Sequence, residues 1–94
     1  PMSETMFYIL FSLKQERHGY AIMQHVKELT RGRIILGAGT VYSSLGKLES
    51  DGLIKSVREE ERRKIYTITP LGGEILKEEM ARITELYNNV RASR

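Results

Sequence analysis

Cysteine and tryptophan are both absent from this 94-residue sequence, and proline occurs only twice. Without cysteine the chain has no disulfide framework and no thiolate ligands for a metal, which fits a reducing setting such as the cytoplasm. No apolar run approaches the roughly 20 residues of a membrane-spanning helix, and no signal-peptide pattern is present. We therefore expect one small domain with a modest core, held together without covalent cross-links.

Positive charge is in slight excess and is unevenly placed. The formal net charge is +3 and the pI is near 9.4. Residues 70–94 hold four basic and four acidic side chains, so the whole excess lies in residues 1–69. This distribution permits a polyanionic partner for the first part of the chain but does not require one.

Apolar periodicity and terminating residues predict four helices and a β-hairpin. Ser3 and Thr69 are predicted N-caps, Pro70 follows Thr69 at a first helical position, and Gly52 is a predicted helix end. The expected fold class is mainly α with a small hairpin (α+β). The predicted elements are helices over 3–15, 17–32, 40–51 and 70–94, a β-prone run at 33–36, and strands over 53–58 and 64–69.

The third predicted helix has two distinct faces. At about 100° per residue, Val41, Leu45 and Leu48 fall in one narrow sector and are expected to pack inward. The opposite face is small, hydroxylated and basic, which is typical of a helix that lies in the DNA major groove. An ordinary solvated face is the alternative. The outward residues are Thr40, Ser43, Ser44, Gly46, Lys47 and Ser50, with Tyr42 on the other flank.

The order of elements favours DNA binding. Two helices joined by a turn and followed by a basic hairpin form a winged helix-turn-helix, in which the wing contacts the DNA backbone. The wing is predicted at 58–66, with Arg62, Arg63 and Lys64 beyond its tip and Arg58 before it. The carboxylates of residues 59–61 are expected at the tip, bent away from phosphates or paired with the neighbouring arginines. A solvated turn that never contacts DNA is the alternative.

The last helix carries the a/d spacing of a coiled-coil seam over about two heptads. The first helix is apolar nearly all round, which a short chain cannot bury alone. Both features predict a homodimer, with contacts from Phe7, Phe11, Leu76, Met80, Ile83, Tyr87 and Val90. A pocket for a small hydrophobic effector is the alternative to plain interface packing, and its candidate residues are Phe7, Tyr8, Phe11, Met80, Ile83 and Tyr87.

Three segments, HGYAIMQHV (18–26), GTVYSSLGKLESDGLI (39–54) and RRKIYTITPLGGEIL (62–76), together resemble the PadR family of winged-helix transcription regulators. The resemblance runs collinearly over residues 6–76. It implies a dimeric, cytosolic repressor that binds a palindromic operator with its third helix and wing. It also implies dimerisation through the C-terminal helix, and in several members release from DNA by phenolic or other planar hydrophobic compounds.

The resemblance also assigns residues. Thr40, Tyr42, Ser43 and Lys47 match DNA-facing positions of the recognition helix, Arg62, Arg63 and Lys64 match the wing, and Tyr20 matches a position that contacts the backbone or packs. The sequence departs from the family pattern at Ser43, Ser44 and Gly46. Without tryptophan, an effector stacked between tryptophans is excluded.

Other kinds of site find no support in the sequence. His18 and His25 are two helical turns apart and lack further ligands, so no metal or cofactor is expected. No nucleophile elbow, P-loop or dinucleotide fingerprint is present, and no enzymatic activity is expected.

Residues 1–69 are predicted as the DNA-binding part and 70–94 as the dimerisation helix of one compact unit. The rival functions are a protein-interaction module and a small-molecule carrier.

Overall fold

The computed structural model describes all 94 residues and contains four helices and one antiparallel hairpin, in the order that the sequence predicts. The fold is that of a winged helix-turn-helix followed by a long helix. None of the helices is long and apolar enough to cross a bilayer. The elements are α1 (Glu4–Ser12), α2 (Gly19–Leu29), α3 (Ala38–Ser50), β1 (Ile54–Glu60), β2 (Arg63–Ile68) and α4 (Pro70–Ala92).

The predicted helix ends are confirmed where capping chemistry marks them. The Ser3 hydroxyl accepts the Met6 amide at 3.1 Å at the start of α1. At the start of α4, the Thr69 hydroxyl accepts the Gly72 amide at the same distance, just before Pro70. Gly52 has a φ of +77° after α3, where a left-handed residue closes the helix.

Two predicted local structures are wrong. The β-prone run at 33–36 forms no strand, because the Ile34 amide donates to the Thr30 hydroxyl at 3.0 Å and Arg33 pairs with Glu4. These contacts hold the run as a loop against α1 and α2. The third helix begins at Ala38 with Gly37 as its N-cap, two residues before the predicted Thr40.

The hairpin is longer and its turn tighter than predicted. Only Glu61 and Arg62 connect the strands, with φ values of 50° and 65°. A two-residue turn with both central residues at positive φ matches the natural twist of a hairpin. Glu59 and Glu60 therefore lie in β1 instead of at the tip. Tyr66 of β2 also exchanges backbone hydrogen bonds of 2.9 and 3.1 Å with Arg17, which joins the wing to the start of α2.

The core lies where α1, α2 and α3 meet above the base of the hairpin. Val41, Leu45 and Leu48 of α3 are at most 2% exposed, so the predicted inward stripe is confirmed. Because these three side chains are embedded, the rotation of α3 about its own axis is fixed. The other buried core residues are Ile9, Leu10, Leu13, Ile22, Val26, Leu36, Ile54, Tyr66 and Leu76.

Only the first half of α4 packs on the rest of the chain. Gly72, Leu76 and Glu79 are buried, whereas every residue after Arg82 is exposed. Leu76, which the sequence assigned to the dimer seam, instead packs in the chain's own core and is 3% exposed. The division into 1–69 and 70–94 stays a prediction, and the first turns of α4 share the core of the preceding residues.

Gly72 permits a close approach between α4 and the start of β1. The Leu53 carbonyl oxygen accepts the Thr69 amide at 3.0 Å, and it would lie only 2.0 Å from a Cβ atom on residue 72. A rigid backbone atom cannot move aside as a flexible side chain can. The neighbouring Gly73 has open space around the same position.

We expect Gly72→Ala to lower the free energy of unfolding by at least about 2 kcal/mol, because α4 must shift away from β1. Gly73→Ala is the matched control and should leave stability equal or raise it by about 0.5–1 kcal/mol, since alanine suits a helix interior better than glycine. Urea unfolding monitored by circular dichroism measures both. Equal stabilities for the two variants would contradict this account of Gly72.

Candidate nucleic-acid interface

The outward face of α3 is largely exposed. Thr40, Tyr42, Ser43 and Lys47 are all exposed, as the sequence predicted, and Ser44 is half-buried at the edge of the face. Lys47 forms an ion pair of 3.5 Å with Asp51, one turn toward the C-terminus. The face therefore offers hydroxyl and ammonium donors at its N-terminal and central positions and a carboxylate only near its end.

The N-terminus of α3 has no side-chain cap. Gly37 has no side chain that could accept a hydrogen bond, so the amides of Ala38, Gly39 and Thr40 lack partners. Unpaired amides and the positive end of the helix dipole together favour an anion such as a phosphate. The exposed start of α3 is thus an electropositive point beside the hydroxyl-rich face.

Tyr42 joins α3 to the start of α2. A Cβ atom on Gly19 would lie 2.9 Å from both the ring Cζ and the hydroxyl oxygen of Tyr42, so the ring packs directly over this glycine. Tyr42 is still 55% exposed. The sequence predicted exposure but not this contact, because nothing in a helical pattern shows which residue of a second helix will lie beneath a given ring.

The start of α2 presents a histidine and a tyrosine to the same surface. His18 is the N-cap, and its Nδ1 accepts the Ala21 amide at 3.1 Å. Tyr20 is 53% exposed, and its hydroxyl oxygen accepts a hydrogen bond of 3.1 Å from Gln24 Nε2. The sequence assigned Tyr20 to this surface and gave His18 only a place at the helix start.

The wing brings its cations to the start of α2. Arg62, Arg63 and Lys64 are exposed, as predicted, and none of them has a carboxylate within ion-pair distance. The Arg63 guanidinium lies 5.9 Å from the centre of the Tyr20 ring and 3.3 Å from the His18 ring. Residues from α2, α3 and β2 therefore form one continuous surface.

Arg58 does not add to the free cations of the wing. It forms ion pairs with Glu16 and Glu60. The hydrogen bonds that its guanidinium donates, first to Glu16 and then to Glu60, raise its pKa. The pair with Glu60 agrees with the expectation that carboxylates of residues 59–61 pair with neighbouring arginines. The same pairs neutralise two carboxylates that would otherwise repel a phosphate backbone.

His25 is half-buried and links α2 to α1. Its Nδ1 is 2.8 Å from the Ser12 hydroxyl, and its ring stacks on Phe11. Burial lowers the pKa of His25, and the nearby charge of Arg17 lowers it further. His18 and His25 thus have separate structural partners.

The exposed half of α4 carries an apolar stripe. Met80, Ile83, Tyr87 and Val90 of the predicted seam are between 38% and 57% exposed. Leu86 is 50% exposed on the flank of this seam and was missed, because it falls outside strict a/d spacing. No residue of the chain itself covers this stripe.

The six candidate pocket residues do not line one pocket within a single chain. Phe7, Tyr8 and Ile83 line a cleft of about 290 Å³ between α1 and α4, together with Met2, Glu4, Glu79 and Arg82. Phe11 and Met80 face two other depressions, and Tyr87 faces none. A pocket formed by all six at a dimer interface stays a prediction. In the cleft, the hydrogen bonds from Arg82 lower the pKa of Glu79.

Comparison with known proteins gives the family. The model of the PadR-like family of transcriptional regulators matches residues 8–78. The chain belongs to this family. PadR-like proteins are transcriptional regulators, which agrees with the expectation of a non-enzymatic protein.

One relative is a transcriptional regulator of Mycobacterium tuberculosis, 36% identical over 78 residues, an alignment that covers 80% of this chain and 70% of the relative. Two other curated relatives are much longer, and this chain spans 21% and 38% of their lengths.

Solved structures of PadR proteins share the fold. A PadR regulator of Clostridium difficile superposes with a TM-score of 0.73 at 32% identity, covering 94% of this chain and 98% of that one. PadR of Bacillus subtilis, solved in complex with operator DNA, superposes with a TM-score of 0.70 at 28% identity. The superposition covers 85% of this chain and 48% of that one.

Gly46 is the one residue of the α3 face that the fold does not explain. It is exposed, and a Cβ atom there would meet nothing within 4 Å. We expect Gly46→Ala to raise the free energy of unfolding by about 1 kcal/mol, because glycine disfavours a helix interior. Gly39→Ala, near the first turn of the same helix, is the control, and its free energy of unfolding should rise by a smaller amount. Chemical denaturation measures the free energy of unfolding of both variants. A Gly46→Ala variant less stable than the wild type would contradict the open space at this position.

Proposed function

We propose that this chain is a homodimeric transcriptional repressor that acts in the cytoplasm and binds a palindromic DNA operator. The observation that carries the proposal is the single surface formed by the free face of α3, its uncapped N-terminus and the unpaired cations of the wing. Family membership and the operator complex of the Bacillus subtilis relative support it.

In this proposal α3 lies in the major groove and the wing follows the adjacent backbone. Thr40, Ser43 and Lys47 contact base edges, because hydroxyl and ammonium groups donate to the acceptors that bases present there. Tyr42 supports α3 against α2 and also reaches the DNA. Arg62, Arg63, Lys64 and Tyr20 contact phosphates and set the register. Ser44, being half-buried, has a smaller part.

A second copy of the chain is the proposed partner of the exposed stripe on α4. Apolar side chains repeating at a/d spacing are the usual contact surface of paired helices. A twofold axis through this contact would place two α3 helices in successive major grooves, ~34 Å apart, which accounts for a palindromic site. Phe7 of α1 lines the cleft beside Ile83 of this stripe and stacks on Phe11, and both rings are half-buried within one chain.

Release by a small hydrophobic effector is the less supported part of the proposal. The cleft between α1 and α4 has an apolar wall of Phe7, Tyr8 and Ile83 and adjoins the exposed stripe. A ligand there would change how two protomers pack, and with it the spacing of the two α3 helices. Against this, only half of the predicted pocket residues line the cleft.

We expect Lys47→Ala and Arg62→Ala both to weaken DNA binding without unfolding the chain, but in different ways. Arg62→Ala should weaken binding to operator and random DNA alike. It should also reduce the slope of log affinity against log salt concentration by about 2 for the dimer, since each protomer loses one phosphate contact. Lys47→Ala should reduce the difference in binding affinity between operator and random DNA, because a contact to a base is lost.

Fluorescence anisotropy at several salt concentrations measures these effects, on a duplex selected from a random pool. Lys77→Ala, which removes an exposed lysine from α4, is the control and should bind normally. Absence of DNA binding, or binding without a salt slope, would favour the rival function of a protein-interaction module. Normal binding by both Lys47→Ala and Arg62→Ala would refute the assigned surface.

We expect Tyr87→Glu to convert the dimer into monomers, because a carboxylate would then be buried in an apolar contact. Asn88→Glu adds the same charge one residue further, about 100° around α4 and away from the seam, and should remain dimeric. Light scattering after size exclusion gives the mass of each. A dimeric Tyr87→Glu, or a wild-type monomer, would contradict the proposed interface.

A further inference from the structure

The two nitrogens of His18 have different hydrogen-bonding states. Nδ1 accepts the Ala21 amide at 3.1 Å and so must carry a lone pair. A neutral imidazole has one N–H and one lone pair, which places the hydrogen on Nε2. His18 therefore caps α2 with one nitrogen and presents an N–H donor with the other.

This donor faces another donor. Arg63 Nη1 lies 3.3 Å from His18 Nε2, and a guanidinium has no lone pair to accept a hydrogen bond. The capping bond of Nδ1 thus prevents Nε2 from accepting the Arg63 hydrogen. The two groups converge on one place, and no acceptor of the chain lies between them.

The carboxylate opposite Arg63 in the hairpin is already engaged. Glu60 is the cross-strand neighbour of Arg63 and pairs with Arg58, whose second partner is Glu16. Arg63 itself has no ion pair. The Tyr20 ring centre lies 5.9 Å from the Arg63 guanidinium, and the Tyr20 hydroxyl, whose oxygen accepts from Gln24, keeps a hydrogen that it can donate.

We propose that a phosphate of the DNA backbone binds between His18 and Arg63, with one oxygen accepting from His18 Nε2 and Arg63 Nη1. The Tyr20 hydroxyl donates to the same phosphate group. This inference rests on the proposed function and adds His18 to the DNA-contacting residues. The three side chains come from the start of α2 and from β2, so the phosphate joins the wing to the helix-turn-helix.

The phosphate clamp formed by His18, Arg63 and Tyr20 has a positioning role. Its contacts go to the sugar–phosphate backbone, so it carries no base information directly. It fixes the angle of the wing relative to α3 when DNA is bound. Loss of His18 should therefore weaken operator and random DNA by the same factor.

The test uses His18→Ser, which keeps a good N-cap but removes the distal donor. We expect His18→Ser and Arg63→Gln each to weaken DNA binding of the dimer about a hundredfold, because each of the two protomers loses one hydrogen bond to a charged group, worth about tenfold. The fold-loss of DNA affinity in the double variant should be smaller than the product of the two single losses, because both residues contact one phosphate. Arg31→Gln, a cation beyond the C-terminal end of α2, is the control.

A methylphosphonate scan of the selected duplex gives a readout that a purely structural role would not move. Neutralising one phosphate in each half-site should weaken binding by the wild type more than binding by His18→Ser, which keeps only Arg63 and Tyr20 at that phosphate, and should affect the double variant least. Neutralising other contacted phosphates should weaken both equally. His18→Asn, which also caps helices well, replaces the serine variant if that one melts early.

The outcomes separate the two proposals. Wild-type affinity for both folded His18 variants, or equal sensitivity of wild type and His18→Ser to every neutralised phosphate, overturns the clamp and leaves DNA binding intact. Failure of the wild type to bind any duplex with a salt slope overturns the proposed function and the clamp together.

Discussion

The burial of Val41, Leu45 and Leu48 is the constraint on which the other features depend. These side chains fix α3 in rotation, and therefore decide that Thr40, Ser43 and Lys47 face outward. The contact of Tyr42 with Gly19 fixes the same helix against the start of α2. With α3 held at both places, the backbone bonds between Tyr66 and Arg17 and the ion pair of Arg58 with Glu16 hold the hairpin beside the helix pair.

Much of this arrangement follows from local signals in the sequence. Period and capping residues predict the four helices, the inward stripe of α3 and the ends at Ser3, Thr69 and Gly52. The contacts between elements do not follow from these signals. The Tyr42 contact with Gly19 and the pairing of Arg58 with Glu16 join residues from separate elements. Leu76 was misassigned because a/d spacing marks an apolar face without showing whether the chain's own core or a partner covers it.

Charge on the candidate surface is arranged by pairing as much as by number. Arg58 and Lys47 have carboxylate partners, whereas Arg62, Arg63 and Lys64 have none. Arg58 is paired with Glu60, the cross-strand neighbour of Arg63, and with Glu16, so these two carboxylates do not offset the charge of Arg63. The same internal pairs lower the repulsion that the acidic residues of β1 would exert on a polyanion.

The turn of the wing shows a compromise between stability and charge. Glu61 and Arg62 both have positive φ, a conformation that Asn and Gly adopt more readily than residues with long side chains. An Asn-Gly pair would suit the backbone better but would remove an arginine from the tip of the hairpin. The wing therefore keeps its outermost cation at a conformational cost that is on the order of 1 kcal/mol per residue. Selection for folding alone would favour a different pair of residues at this turn.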